Sequence, residues 1–180
     1  TDQINAGCYI FKRSVIDQIP AGRPVSVERE TFPDLLAKNA KVIGVVDSGY
    51  WLDLGTPLAF AKGSADLVQG LAPSPILKGV TGNAIVSNSA QVDDSAVISG
   101  GSYIGNNVKI HSSSRIIGSV ILDEVEIERG CNIENSIISR NTRIGKDSVV
   151  KDSVVAENVV IGPRNEFLNG SRVFPNSEIA

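Results

Sequence analysis

Methionine is absent from these 180 residues, histidine and tryptophan occur once each, and cysteine occurs twice. Two cysteines, Cys8 and Cys131, do not make a disulfide framework, so ordinary burial must hold the fold, and a reducing cytoplasm is the expected setting. Cationic runs are missing and the net charge is −3, which argues against a polyanion-binding role and leaves no nucleic-acid partner to expect. No apolar run is long enough to span a bilayer and no signal-peptide pattern is present, so no membrane partner is expected either. Aromatic residues number nine, and six of them (Tyr9, Phe11, Phe32, Tyr50, Trp51, Phe60) lie before residue 78. With no methionine and an opening of Thr1-Asp2-Gln3 in what reads as the approach to a strand, the chain is expected to be a piece of a longer protein.

What the sequence has instead is an internal repeat. From Gly101 to Leu168 four 17-residue copies follow one another: GSYIGNNVKIHSSSRII, GSVILDEVEIERGCNIE, NSIISRNTRIGKDSVVK and DSVVAENVVIGPRNEFL. Each has Ser at its second position (Ser102, Ser119, Ser136, Ser153) and aliphatics at its fourth and tenth. Upstream, a six-residue spacing runs through Val80, Val86, Val92 and Ile98 to Ile104. A spacing of six suits neither a helical stripe nor an alternating strand. It suits a three-sided coil in which each short side points one large residue inward. Three sides make 18 residues, or 17 where a corner is one shorter, as from Ile116 to Ile121. Small residues four after each inward aliphatic, such as Ser102, Ser114, Cys131 and Ser148, would fill the narrow angles, and Gly and Asn supply the corners. The pattern resembles the hexapeptide-repeat, left-handed parallel β-helix, and its handedness is what that resemblance implies. Phe167, Leu168, Val173 and Phe174 are expected to cover the last rung. Flat faces and strand edges make a homo-oligomer the expected state.

Before the repeats, Gln3–Phe11 and Lys41–Asp47 read as strands. Ser14–Ile19, the stretch from Ser26 or Val27 through Asn39, and Leu58–Val68 read as helices, the second with Pro33 inside its pattern. Leu71-Ala72-Pro73-Ser74-Pro75 reads as a short, fairly stiff linker. The expected division is 1–70 for the tail of an α/β domain, 71–77 for a linker and 78–180 for the β-helix with its cap.

Three motifs add chemistry to this outline: NAGCYIF from Asn5, VERETFP from Val27 and GYWLDLGTP from Gly49. Followed by a helix and then hexads, they resemble sugar-1-phosphate nucleotidyltransferases, most of all the bacterial mannose-1-phosphate guanylyltransferases. The resemblance implies the C-terminal portion of an α/β nucleotidyltransferase domain followed by a left-handed parallel β-helix. It implies a parent enzyme that joins a nucleoside triphosphate, GTP favoured, to a sugar 1-phosphate, mannose 1-phosphate favoured, and releases pyrophosphate. Asp53 of WLDLGT would be one carboxylate on Mg²⁺, Asn5 would sit at the sugar with Gly7 allowing close backbone approach, and Glu28 and Arg29 would lie by the sugar phosphate. Arg29 stands where many relatives have Lys, which replaces a point charge by a bidentate fork. The glycine-rich triphosphate loop, the EKP-type motif and a second aspartate of that family are not among these residues, so the isolated chain is expected to be inactive.

Plainer readings stand beside these. Asp53 could be a turn aspartate capping the next helix, Asn5 and Gly7 a strand bulge, and Glu28 and Arg29 a solvated first helical turn. Trp51 reads as a wall or core residue. His111 could be the general base of a hexapeptide acyltransferase or a surface corner residue, and the latter is the default because no long loop flanks it. A thymidylyl- or adenylyltransferase, an acyltransferase and a non-catalytic assembly subunit remain the alternative functions.

Overall fold

The computed structural model describes residues 3–77 and 82–180. Val80, the first residue of the expected hexad series, lies outside the described residues, as do Lys78, Gly79 and Thr81. Contacts divide the chain into two units, Thr1–Trp51 and Leu52–Ala180.

In the first unit the helices are short. Helix α1 is Arg13–Ile16, a π-helical turn covers Val27–Thr31, and α2 continues it over Phe32–Ala37. The Ser26 hydroxyl caps the turn by accepting from the Arg29 N–H at 3.1 Å, as serine does at helix starts. Pro33 explains the widened turn: its ring clashes with the carbonyl four residues back and it has no N–H to donate, and i→i+5 spacing ahead of it relieves both. Phe32 packs edge-on to Tyr9 at 5.1 Å between centroids and stacks on Phe11 at 5.6 Å.

The two strands expected here do not form. No described residue before Ala84 belongs to a ladder, and Ile10, Ile43, Val45 and Val46 are exposed. A strand is defined by a neighbour that completes its hydrogen bonds, and neither segment has one among the described residues.

The second unit opens with α3 (Pro57–Val68), capped by the Thr56 hydroxyl on the Ala59 N–H at 3.1 Å, with Pro57 at the first position, where no N–H is needed. The coil follows, and strands three apart in sequence pair, all in parallel. One face carries β1 (Ala84–Val86), β4 (Ser102–Ile104), β7 (Val120–Ile121), β10 (Ile137–Ile138), β13 (Val154–Val155) and β16 (Arg172–Val173). The second carries β2 (Gln91–Val92), β5 (Lys109–Ile110), β8 (Glu126–Ile127), β11 (Arg143–Ile144), β14 (Val160–Ile161) and β17 (Glu178–Ile179). The third carries β3 (Val97–Ser99), β6 (Arg115–Ile117), β9 (Asn132–Glu134), β12 (Val149–Lys151) and β15 (Glu166–Phe167). This is a parallel β-helix.

Its core is the set of inward columns. Ile104, Ile121, Ile138 and Val155 stack on one face, Ile110, Ile127, Ile144 and Ile161 on the next, and Ile116, Ile133 and Val150 on the third, each at most 2% exposed. A buried isoleucine is worth roughly 1.5–3 kcal/mol, and each has its hole only because the rungs above and below are present. The corner fillers are buried as expected, and the repeat serines do more than fill. The Ser102, Ser119 and Ser136 hydroxyls each accept from the N–H of the serine one rung on, at 3.1 Å. Each donates to a carbonyl two or three residues back in its own rung. Cys131 takes a serine's place in a second such column, its N–H bonded to the Ser114 hydroxyl at 3.3 Å and its thiol to the Gly145 carbonyl at 3.2 Å. Burial pushes that thiol's pKa up, which makes it inert.

Register records the corner lengths. Ala84 pairs with Ser102, Tyr103 with Val120, Ile137 with Val154, and Val154 with Arg172, so the step runs 18, 17, 17 and 18. The expected terminal cap differs from what is found: Phe167 and Val173 continue the inward columns beside Val150 and Val155, while Leu168 and Phe174 face outward. The hexad phase that puts Val155 inward also puts Val173 inward, so these residues build rungs and do not close them.

Helix α3 rides on this coil. It packs against β4, and the approach is closest at Gly101, where a Cβ would lie 2.7 Å from the Ala65 backbone. The Gly82 N–H bonds to the Val68 carbonyl at 3.0 Å, and the N–H groups of Leu71 and Ala72 bond to Asp66, so the proline-spaced stretch starts out tied to the helix end.

Candidate functional site

The first unit brings together three of the residues that sequence patterns single out. The Asn5 side chain accepts from the Gly7 N–H at 3.0 Å, a local turn that Gly7 completes at φ +71°. With its carbonyl oxygen held, Asn5 donates through Nδ2 to the Tyr9 hydroxyl at 2.6 Å and to the Glu28 Oε1 at 3.2 Å. Tyr9 in turn donates to the same Glu28 oxygen. This closed triangle joins two segments 23 residues apart in sequence. The hydrogen bond to Glu28 holds the Tyr9 pKa above its usual value, so at neutral pH Tyr9 is a donor. Tyr9 is the one member that sequence patterns did not single out. No local pattern marked it, because its role depends on Glu28, 19 positions away in the chain.

Arg29 is not part of the triangle. Its backbone N–H satisfies the Ser26 cap, and its exposed guanidinium has no partner among the described residues. Such a group is ready for a doubly bonded anion. Trp51 is half exposed at 49%, which removes the core alternative and leaves the wall one.

Asp53 belongs to the second unit. Its Oδ1 accepts from the Gly55 N–H at 2.9 Å, and the carboxylate is exposed. It does not cap α3, as the plainer reading had it, because Thr56 does. Among the described residues no group of three or more His, Cys, Asp or Glu is placed to hold a metal ion. Asp53 is a single carboxylate with its Oδ1 engaged by the Gly55 N–H, a donor that a divalent ion completing its shell with phosphate oxygens and water could use.

His111 sits on the outside of the β-helix. Its Nε2 lies 3.1 Å from the Glu126 Oε1 on the next rung, and Glu126 and Glu128 both face Arg143. This is a charge ladder across three rungs, and His111 is a member of it, as the surface reading expects.

The Nucleotidyl transferase family matches residues 1–70, and the GMPPB C-terminal domain family matches residues 80–180. The mannose-1-phosphate guanylyltransferase of Mycobacterium tuberculosis is 58% identical over 97% of this chain and 49% of its own length. Mannose-1-phosphate guanylyltransferase 1 of Arabidopsis thaliana is 34% identical over 74% of this chain and 36% of its own. The chain thus spans about half or less of the length of these relatives. A solved UDP-N-acetylglucosamine acyltransferase from Francisella novicida is 19% identical over 47% of this chain and 44% of its own, at a TM-score of 0.29, too low to carry an argument for acyl transfer. Repeats and matches agree, and the chain belongs to the GMPPB C-terminal domain family, with a match to the Nucleotidyl transferase family over residues 1–70.

Proposed function

We propose that the whole protein joins GTP to mannose 1-phosphate and releases pyrophosphate, with this chain supplying the sugar-phosphate side of the site. The observation that carries this reading is the 58% identity over 97% of the chain with a mannose-1-phosphate guanylyltransferase. In the reaction an oxygen of the sugar phosphate attacks the α-phosphorus of the nucleotide, and catalysis is mostly alignment and neutralisation of charge. Asn5 and Glu28 bind sugar hydroxyls, and Tyr9 keeps both from turning away. Arg29 reaches the sugar phosphate with its two-pronged guanidinium. Asp53 holds Mg²⁺, which when bound offsets phosphate charge. Residues 1–70 belong to the catalytic domain, 71–77 join it to the repeats, and 78–180 assemble copies into a homo-oligomer in the cytoplasm.

The test is pyrophosphate release by the full-length protein with mannose 1-phosphate, GTP and Mg²⁺, set against the other nucleoside triphosphates and glucose 1-phosphate. Asp53→Asn should lower turnover by about 10²-fold or more while leaving the β-helix folded by circular dichroism. Unchanged turnover in that variant, or preference for another nucleotide, overturns the reading. The isolated chain should not turn over.

A further inference from the structure

One corner of the β-helix departs from the others. At six other corners the left-handed residue is tied to the rung before: the N–H groups of Asn135, Asn141, Asp147, Asp152, Asn158 and Arg164 all bond to carbonyls there. Between Phe167 and Arg172 the step changes from 17 to 18 residues, as the pairs Val150–Phe167 and Val154–Arg172 show. The added residue pushes this corner out of register. Asn169 and Gly170 both take positive φ, +55° and +82°, and neither N–H has an acceptor among the described residues. The Asn135 side chain reaches Asp152 on the next rung at 3.3 Å, but that column stops there. Asn169 is exposed and the space beside the Gly170 α-carbon is open, with nothing within 4 Å of a built Cβ. Asn169-Gly170 is also the only Asn-Gly pair in the sequence.

We propose that Asn169 is a site of spontaneous covalent modification, converting to aspartate and isoaspartate through a succinimide with Gly170. The Gly170 backbone nitrogen loses its proton and attacks the Asn169 Cγ. A C–N bond forms, the Cγ–Nδ2 bond breaks, and ammonia leaves with the proton. Water then opens the ring at either carbonyl. One opening gives aspartate; the other routes the backbone through the side chain and adds a carbon to it. Two features of this corner favour the attack. Glycine puts no side chain in the way, and a nitrogen outside the ladder need not break a hydrogen bond to react. The products carry a new negative charge, and the isoaspartate form lengthens the loop that sets Val173 on Val155.

To test this, the full-length protein is held at mildly alkaline pH, digested and followed by peptide mass spectrometry, with isoaspartate detected by its specific methyltransferase. Asn169 should convert at least about tenfold faster than Asn135 or Asn158, whose following nitrogens, of Ser136 and Val159, are held by the Ser119 and Thr142 hydroxyls, and at nearly the rate seen in urea-unfolded protein. Asn169→Gln, which lies on the surface, should remove the isoaspartate signal and keep the fold. Conversion of Asn169 no faster than of the tied asparagines, or strong slowing relative to unfolded protein, overturns the proposal.

Discussion

Single side chains here act by holding the next one in place. Ser119, itself 1% exposed, accepts from the Ser136 N–H and donates to the Ile117 carbonyl. Ser119→Ala leaves a buried donor without an acceptor, and thermal or urea unfolding should show a loss of about 1–3 kcal/mol. The repeat made Ser119 visible as a corner residue, because it recurs at one position in four copies. Its hydrogen bonds were not visible, since they depend on its hydroxyl meeting the Ser136 N–H of the next rung, at 3.1 Å. Tyr9 shows the same limit in the first unit. Asn5 and Glu28 stand in recognisable motifs, but nothing in a linear reading of two segments 23 positions apart says that one tyrosine hydroxyl joins them.

Among the elements, α3 is the one whose position periodicity left open. Its cap, its first-turn proline and its length follow from Thr56, Pro57 and the apolar spacing. Where it lies follows from Gly101, which at φ +80° leaves room for Ala65. Gly101→Val should strain the backbone and push the helix off β4. We expect destabilisation of about 1–3 kcal/mol, with amide exchange rising first in Ala61 and Ala65. The Val27–Thr31 turn is a related case. Pro33 stands inside the expected helix, and the chain accommodates it by widening a turn instead of ending. The two missing strands make the opposite point: Val45 and Val46 have strand-like side chains, yet a strand also needs a neighbour.

The β-helix as a whole behaves as a stack in which each rung stabilises its neighbours, and its outer charges follow the same order. Glu128 accepts from the Lys146 N–H at 2.8 Å, the chief cause of its lowered pKa, and the Arg143 guanidinium adds to it against partial burial. A carboxylate with a lowered folded-state pKa stabilises fully above its ordinary value of 4.5 and loses that contribution as pH falls through the lower value. Thermal midpoints measured from neutral pH into the acid range should therefore fall more steeply for the natural protein than for Glu128→Gln. Equal slopes would show that the ladder is too exposed to matter.

The inward columns, the 17- and 18-residue steps and the small corner residues were legible in the sequence, because a six-residue spacing repeated over many rungs admits one three-sided solution in which every large aliphatic is buried. The motif residues were legible as candidates through the family resemblance that their motifs carry. Only the tertiary structure decided that Asn5 and Glu28 meet at Tyr9, that α3 rests on Gly101, and that the Asn169 corner stands outside the ladder. Each of these depends on distances between segments remote in the chain, and such distances are set by packing and hydrogen bonding across the fold, which no local period encodes.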